Sequence, residues 1–329
     1  MSVALLEVSG LERTFGGGRR LTGRPRPAVH AVQGVDLLLE RGETLGIVGE
    51  SGCGKSTLAR MLVGLDLPSA GRLRLEGEEV SDLARRDRRA LSRRVQYVFQ
   101  DPQSSLNPRK TIRKLLEAPM IYLLGLDAQA RAQRLEELMA AVNLRAEFLD
   151  RYPHEFSGGQ AQRIGIARAL AAEPEIIVLD EPVSALDVSI QAQVLNLLAD
   201  LKARFGLTYV FISHDLSVVE SVSDRVAVMY FGRIVEVGRG DAIFRNPRHP
   251  YTRLLLDSAP VPGRRGVRSE EGGGELPDPL DPPPGCAFAP RCSRADEVCR
   301  RAKPALTEWS EGDNAAACYH PLLDESDPR

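Results

Sequence analysis

The stretch Gly49-Glu50-Ser51-Gly52-Cys53-Gly54-Lys55-Ser56-Thr57 constrains the fold more than any other part of this 329-residue chain. It fits the P-loop pattern, in which glycines let the backbone close around phosphate so that its N–H groups face the anion. The apolar run Thr44–Val48 reads as a buried strand ahead of it, and Ser56–Gly64 as a helix behind it. That helix adds the positive end of its dipole. In this setting Lys55 reaches the β- and γ-phosphates and Ser56 ligates Mg²⁺. A plain glycine turn with a surface lysine would lack the flanking strand and helix. The nucleotide-binding set is therefore Gly49, Ser51, Gly52, Cys53, Gly54, Lys55, Ser56 and Thr57. Cys53 stands at an unconstrained position and is given no role of its own.

A second feature fits the first. Ile176-Ile177-Val178-Leu179 reads as a buried parallel strand, and Asp180 and Glu181 emerge at its C-terminal end, where ligands bind in open α/β sheets. Asp180 is placed to hold Mg²⁺ and Glu181 to polarise an attacking water. Alone, such a run would be a strand meeting solvent; beside a P-loop the functional reading is the stronger. Residues 3–40 alternate apolar and polar in short runs, as antiparallel strands do, around a Gly- and Arg-rich loop at Gly16–Arg26. From about Thr111 to Ala172 the signal is helical. Leu135, Leu138, Met139 and Val142 recur at helical spacing behind Asp127, a suitable N-cap. Gln191–Arg204 reads as a helix ahead of a strand at Thr208–Ile212, and strand–helix–strand order implies a parallel sheet of the α/β class.

These two motifs occur in many P-loop proteins. Ser157-Gly158-Gly159-Gln160 narrows the field. Ser157 is a good N-cap for a helix over about Ala161–Ala171, and the glycines leave N–H groups exposed at its start. One nucleotide does not need two phosphate-binding devices from one chain.

Ser157–Gln160, just upstream of the Asp180 strand, resembles the signature motif of ABC ATPases. Other marks of that family follow in order: Gln100 matches the Q-loop glutamine, Ser184-Ala185-Leu186-Asp187 the D-loop, and His214 the switch histidine. Phe15 matches the aromatic that stacks on adenine, although an apolar strand residue would read alike. The resemblance covers about residues 5–255. It implies two such domains arranged head to tail, with the P-loop of one facing Ser157, Gly158, Gly159 and Gln160 of the other across ATP. It also implies Mg²⁺ held through Ser56, Gln100 and Asp180, and catalysis by Glu181, His214 and Lys55. His30, His154, His249 and His320 read as surface or satisfied core groups.

Asp101–Pro108, Glu181–Gln193 and Asn246–Thr252 are similar to the dipeptide/oligopeptide importer branch, and Tyr152–Gln160 resembles its F-type ATPase subunit. The resemblance implies a D-type ATPase as partner, two permease subunits and a solute-binding protein, with peptides as cargo. Nickel and glutathione importers share the architecture. An exporter subunit fits these strings less well, and a soluble ABC ATPase acting on nucleic acid would need a tandem domain or coiled coil. The net charge of −2, with both signs interspersed, gives no basic face for nucleic acid. No apolar run approaches the roughly 18–20 residues that span a bilayer, and no secretory signal is seen, so the expected location is peripheral, on the cytoplasmic face of the plasma membrane.

Beyond residues 1–255, with a helical subdomain at about 105–172, a Pro/Gly-rich linker (256–285) leads to a small Cys-rich extension (286–329). Cys286, Cys292, Cys299 and Cys318 suggest metal before disulfides in a reducing compartment. Their gaps are wider than paired zinc knuckles, and four thiolates hold either Zn²⁺ or a 4Fe–4S cluster. A comparable tail in the importer branch is associated with 4Fe–4S, which favours iron–sulfur; zinc and uncoordinated thiols are the alternatives. The Arg19–Arg26 loop reads as a solvated insertion, with lipid headgroups as the other possible contact.

Overall fold

The computed structural model describes residues 4–17, 27–258, 276–309 and 314–322. The Arg19–Arg26 loop and residues 259–275 of the linker lie outside them. Twelve strands are present among the described residues: Leu6–Gly16 (β1), Ala28–Leu39 (β2), Thr44–Val48 (β3), Ala70–Leu75 (β4), Glu78–Glu79 (β5), Val95–Val98 (β6), Ile176–Asp180 (β7), Thr208–Ser213 (β8), Arg225–Tyr230 (β9), Arg233–Arg239 (β10), Thr307–Trp309 (β11) and Asn314–Ala316 (β12). They form an antiparallel sheet of order β2-β1-β4-β5 and an eight-stranded sheet of order β11-β12-β10-β9-β3-β8-β7-β6. Strands β6, β7, β8, β3 and β9 run parallel, while β10, β12 and β11 join antiparallel.

The parallel strands read as continuous apolar runs because both faces are covered. Alternation then sorts their side chains. Ile177, Leu179, Tyr209 and Phe211 join a core with the helices Ile112–Pro119, Ala128–Ala141 and Gly158–Leu170. Ile176, Val178, Val210 and Ile212 join a second core with β1, β2 and the helix Lys55–Leu62. Asp127 caps Ala128–Ala141 by accepting the Ala130 N–H at 2.9 Å, and Leu135, Leu138, Met139 and Val142 are all fully buried, as their spacing implies.

The Cys-rich extension continues the main sheet. Strand β12 pairs with β10, and Phe288 is part of the same core as the parallel strands. The junction depends on Glu236 of β10, which is fully buried. Its two carboxylate oxygens accept the backbone N–H groups of Arg248 and His249, at 2.6 and 2.9 Å, just ahead of the helix Pro250–Ser258. Burial pushes the Glu236 carboxyl up, against these bonds, and pushes His249 down to about 3, so that the ring is neutral. Its Nδ1 accepts the Tyr251 N–H at 3.0 Å. Glu236→Ala orphans two buried donors, each worth about 1–3 kcal/mol. The expected result is a loss of about 3 kcal/mol in urea unfolding; a loss below about 0.5 kcal/mol would mean that water replaces the carboxylate.

Candidate functional site

The P-loop wraps the start of the helix Lys55–Leu62. Gly54 caps that helix with φ +108°, and a Cβ there would lie 2.3 Å from the Ala31 carbonyl oxygen, so only glycine fits. Lys55 is buried, and its Nζ donates to the Gly49 and Glu50 carbonyls at 2.7 and 2.9 Å. The Ser56 hydroxyl donates to Asp180 Oδ1 at 3.2 Å, and the Tyr97 hydroxyl donates to Asp180 Oδ2 at 2.5 Å. Burial first, then this bond, raises the Tyr97 pKa, so the phenol stays a donor. Ser56 and Asp180 meet directly and Gln100 lines the same cavity as Ser56, and all three carry oxygen atoms of the hard kind that Mg²⁺ takes.

Glu181 sits beyond the end of β7 in the left-handed region, φ +48°. The Glu181 N–H donates to the Ile212 carbonyl at 2.9 Å, and the Glu181 carbonyl accepts the Ser184 hydroxyl at 3.1 Å. The backbone is thus held from both sides, which offsets the local strain. Its Oε2 accepts from Gln100 Nε2 at 2.9 Å and lies 3.2 Å from His214 Nδ1. Three residues from three strand ends therefore meet at one carboxylate oxygen. Gln100, Glu181 and His214 line, with Ser51–Thr57, an open cavity of about 550 Å³, whose other wall is Val29, His30, Ala31, Phe231 and Gly232.

Phe15 is not among the cavity's lining residues. It pairs with Val29 across the hairpin, and so shares a face with a residue that does line the cavity; the Arg13 guanidinium lies 4.6 Å over its ring. Ser157–Gln160 lie elsewhere. Ser157 Oγ accepts the Gln160 N–H at 3.4 Å, and Gln160 Oε1 accepts the Ser157 N–H at 3.1 Å, a reciprocal cap on the helix Gly158–Leu170. This start lines a separate cavity with Arg145, Arg151 and Arg163. Within one chain the signature and the P-loop do not meet. Asp187 is the N-cap residue of the helix Val188–Phe205 that follows the D-loop.

Cys286, Cys292, Cys299 and Cys318 line one cavity together with His249 and His320. The Cys286 N–H donates to the Cys299 carbonyl at 2.7 Å, and the Ala317 N–H donates to Val235 at 2.8 Å, which brings Cys318 in from β12. Burial raises Cys286 and Cys299 and pushes Cys318 up to about 11, with the neighbouring thiols adding to each effect. Four thiols lining one cavity that ionise reluctantly on their own would be neutralised by a cation bound among them. Among the described residues, the donor atoms that fall within 4.8 Å of one another in a group of three are those of Asp296, Cys299 and His320, and no three of the four sulfurs do so. Asp296 is engaged there already, accepting the Cys299 N–H at 3.1 Å and lying 2.9 Å from His320 Nε2.

Sequence reasoning missed Tyr97 and the cavity-lining His30 and Pro279. Tyr97 is reached only through the pairing of β6 with β7, and no local pattern marks the others. Among the described residues no helix is long and apolar enough to cross a membrane.

Family comparison agrees with this geometry. The ABC transporter family model matches residues 32–184, and that of the oligopeptide/dipeptide transporter C-terminal region matches residues 235–299. The dipeptide transport ATP-binding protein DppF of Haemophilus influenzae is 49% identical over 318 residues, 96% of either chain. The oligopeptide transport ATP-binding protein AppF of Bacillus subtilis is 49% identical over 319 residues, 96% of this chain and 97% of its own. Among solved structures, a Clostridium perfringens subunit of an ABC transporter complex superposes with a TM-score of 0.63 at 27% identity, covering 74% of this chain and 91% of its own. A dimeric ATP-binding cassette with ADP and phosphate bound gives 0.63 at 28%, covering 71% and 98%. A P-loop, an acidic strand end and a separate signature helix, on a chain nearly half identical to these relatives throughout, place it in a family: the chain belongs to the ABC transporter ATPases, as an ATP-binding subunit of the dipeptide/oligopeptide type.

Proposed function

We propose that the chain hydrolyses ATP to power peptide import through a membrane permease, with Glu181 as the residue that polarises the attacking water. The meeting of Gln100, Glu181 and His214 over the P-loop cavity carries this reading. Phosphoryl transfer to water needs positioning and charge stabilisation more than covalent chemistry. Lys55 and the N–H groups of Gly49–Thr57 hold the phosphates, and Phe15 stacks on the base from the hairpin. Ser56, Asp180 and Gln100 would hold Mg²⁺, which supplies charge neutralisation when bound. His214 positions the γ-phosphate end, and the D-loop residues Ser184 and Asp187 follow Glu181, Ser184 bonded to its carbonyl and Asp187 at the start of the next helix.

Because Ser157–Gln160 face a cavity of their own, the site is completed by a second cassette, for which a distinct D-type chain is the proposed partner. Two permease subunits and a solute-binding protein complete the importer, and place this chain at the cytoplasmic face of the membrane. A mild-detergent pull-down of the tagged chain from native membranes, read by mass spectrometry, is expected to recover those partners. Recovery alone, or with ribosomal proteins, would sink the importer and leave the ATPase.

For Cys286, Cys292, Cys299 and Cys318 the proposal is a 4Fe–4S cluster that staples an extension too small for its own core. The supporting observation is that four thiols, from segments 286–299 and 318, line one cavity. Anaerobically purified chain is expected to carry about four iron and four sulfide per protein. Zinc without iron would replace the cluster by a structural Zn²⁺; neither metal would leave plain thiols.

A further inference from the structure

The turn that carries Cys286 and Cys292 ends against the P-loop. Arg291 is nearly buried, its side chain 10% exposed. Its two terminal nitrogens reach the two carboxylate oxygens of Glu50, Nη1 to Oε2 and Nη2 to Oε1, both at 2.9 Å. This is a bidentate fork, stronger and more directional than a single ion contact. The guanidinium also lies 5.8 Å from the Tyr230 ring centre and 5.6 Å from that of Phe288. These aromatic rings belong to the core, so the fork is presented from rigid ground.

Glu50 is a P-loop residue. Its carbonyl accepts the Lys55 ammonium at 2.9 Å, and its N–H donates to the Tyr251 hydroxyl at 3.0 Å. A free carboxylate at this position would repel a polyphosphate arriving in the same loop. The linker leading into the extension touches the site too: Pro279 lines the nucleotide cavity, and its carbonyl accepts the His30 N–H at 3.4 Å.

We infer that Arg291 is a positioning residue of the ATP site, which neutralises Glu50 and anchors it, and so makes the cysteine-bearing extension a working part of the P-loop. Arg291 acts through Glu50 and does not touch the nucleotide. The inference rests on ATP binding at the P-loop and not on the identity of any metal at the thiols.

The test titrates the full chain with Mg-ADP by calorimetry, so that hydrolysis does not interfere. Arg291→Ala is expected to weaken binding about tenfold, because an unpaired carboxylate then stands in the loop. Arg291→Lys, which keeps the charge and loses the fork, is expected to lie within about threefold of wild type. The decisive variant is Arg291→Ala combined with Glu50→Gln. If the defect is the exposed charge, removing it restores affinity to within about twofold. Wild-type affinity in Arg291→Ala overturns the proposal. So does a loss that Glu50→Gln fails to rescue, which would assign Arg291 to the fold of the extension alone. Iron, sulfide and zinc are measured on every preparation. Weakened binding confined to preparations that have lost a metal present in wild type also overturns the proposal. Absence of metal from the wild type would end the cluster reading and leave the Arg291 titrations decisive.

Discussion

Glu181→Gln is expected to retain ATP binding while lowering the hydrolysis rate by about 10³-fold, the range lost when a positioned general base is removed. The substitution keeps shape and hydrogen-bonding capacity, so the contacts that place residue 181 survive: the Ile212 carbonyl, the Ser184 hydroxyl and the Gln100 side chain. What goes is the negative charge that orients and activates water. The bound state should accumulate with ATP unspent, and the cassettes should stall as a closed dimer, visible as a shift in size-exclusion chromatography with ATP. Phosphate release by the purified mutant complex is the primary readout. Near-normal release would remove Glu181 from the base role and shift attention to His214, whose Nδ1 is 3.2 Å away.

Lys55→Ala is expected to act earlier, on binding and rate together, with kcat/KM falling by at least about 10³-fold. The Lys55 ammonium is buried and held by the Gly49 and Glu50 carbonyls, neither of them charged. A phosphate gives this buried cation a charged partner that the two carbonyls do not supply. Alanine removes the attraction and leaves the glycine loop intact, so the unfolding midpoint should stay near wild type while Mg-ADP affinity collapses. Wild-type-like ADP affinity would show that the loop's N–H groups alone hold the phosphates. The two substitutions thus separate binding from chemistry within one cavity.

The fold was legible wherever the signal was local. The strand before the P-loop, the capped helix after Ser157 and the apolar run ending in Asp180 each show their periodicity within a short window. The apparent tail is different. Its Pro- and Gly-rich approach reads as a linker to an appendage, yet β12 pairs with β10 and Phe288 is buried in the main core. Three-residue strands give too little pattern to be seen in a sequence, and their partner is far along the chain. The histidines illustrate the same limit. His249 is the satisfied core group its sequence reading implies, yet it and His320 line the thiol cavity, and His30 lines the nucleotide cavity.

The sequence by itself determined the devices that close within a few residues: the P-loop, the Ser157–Gln160 cap, and the strand that ends in two carboxylates. Their geometry depends on glycine conformations, capping and alternation, which act between near neighbours. Only the tertiary structure decided which of these devices share a cavity. Gln100 and Glu181 are 81 positions apart, Tyr97 and Asp180 are 83 apart, and Arg291 and Glu50 are 241 apart. Sheet order and core packing bring such pairs together, and no local propensity records them. The same physics left Ser157–Gln160 away from the P-loop of its own chain, on a face that a second cassette would have to meet.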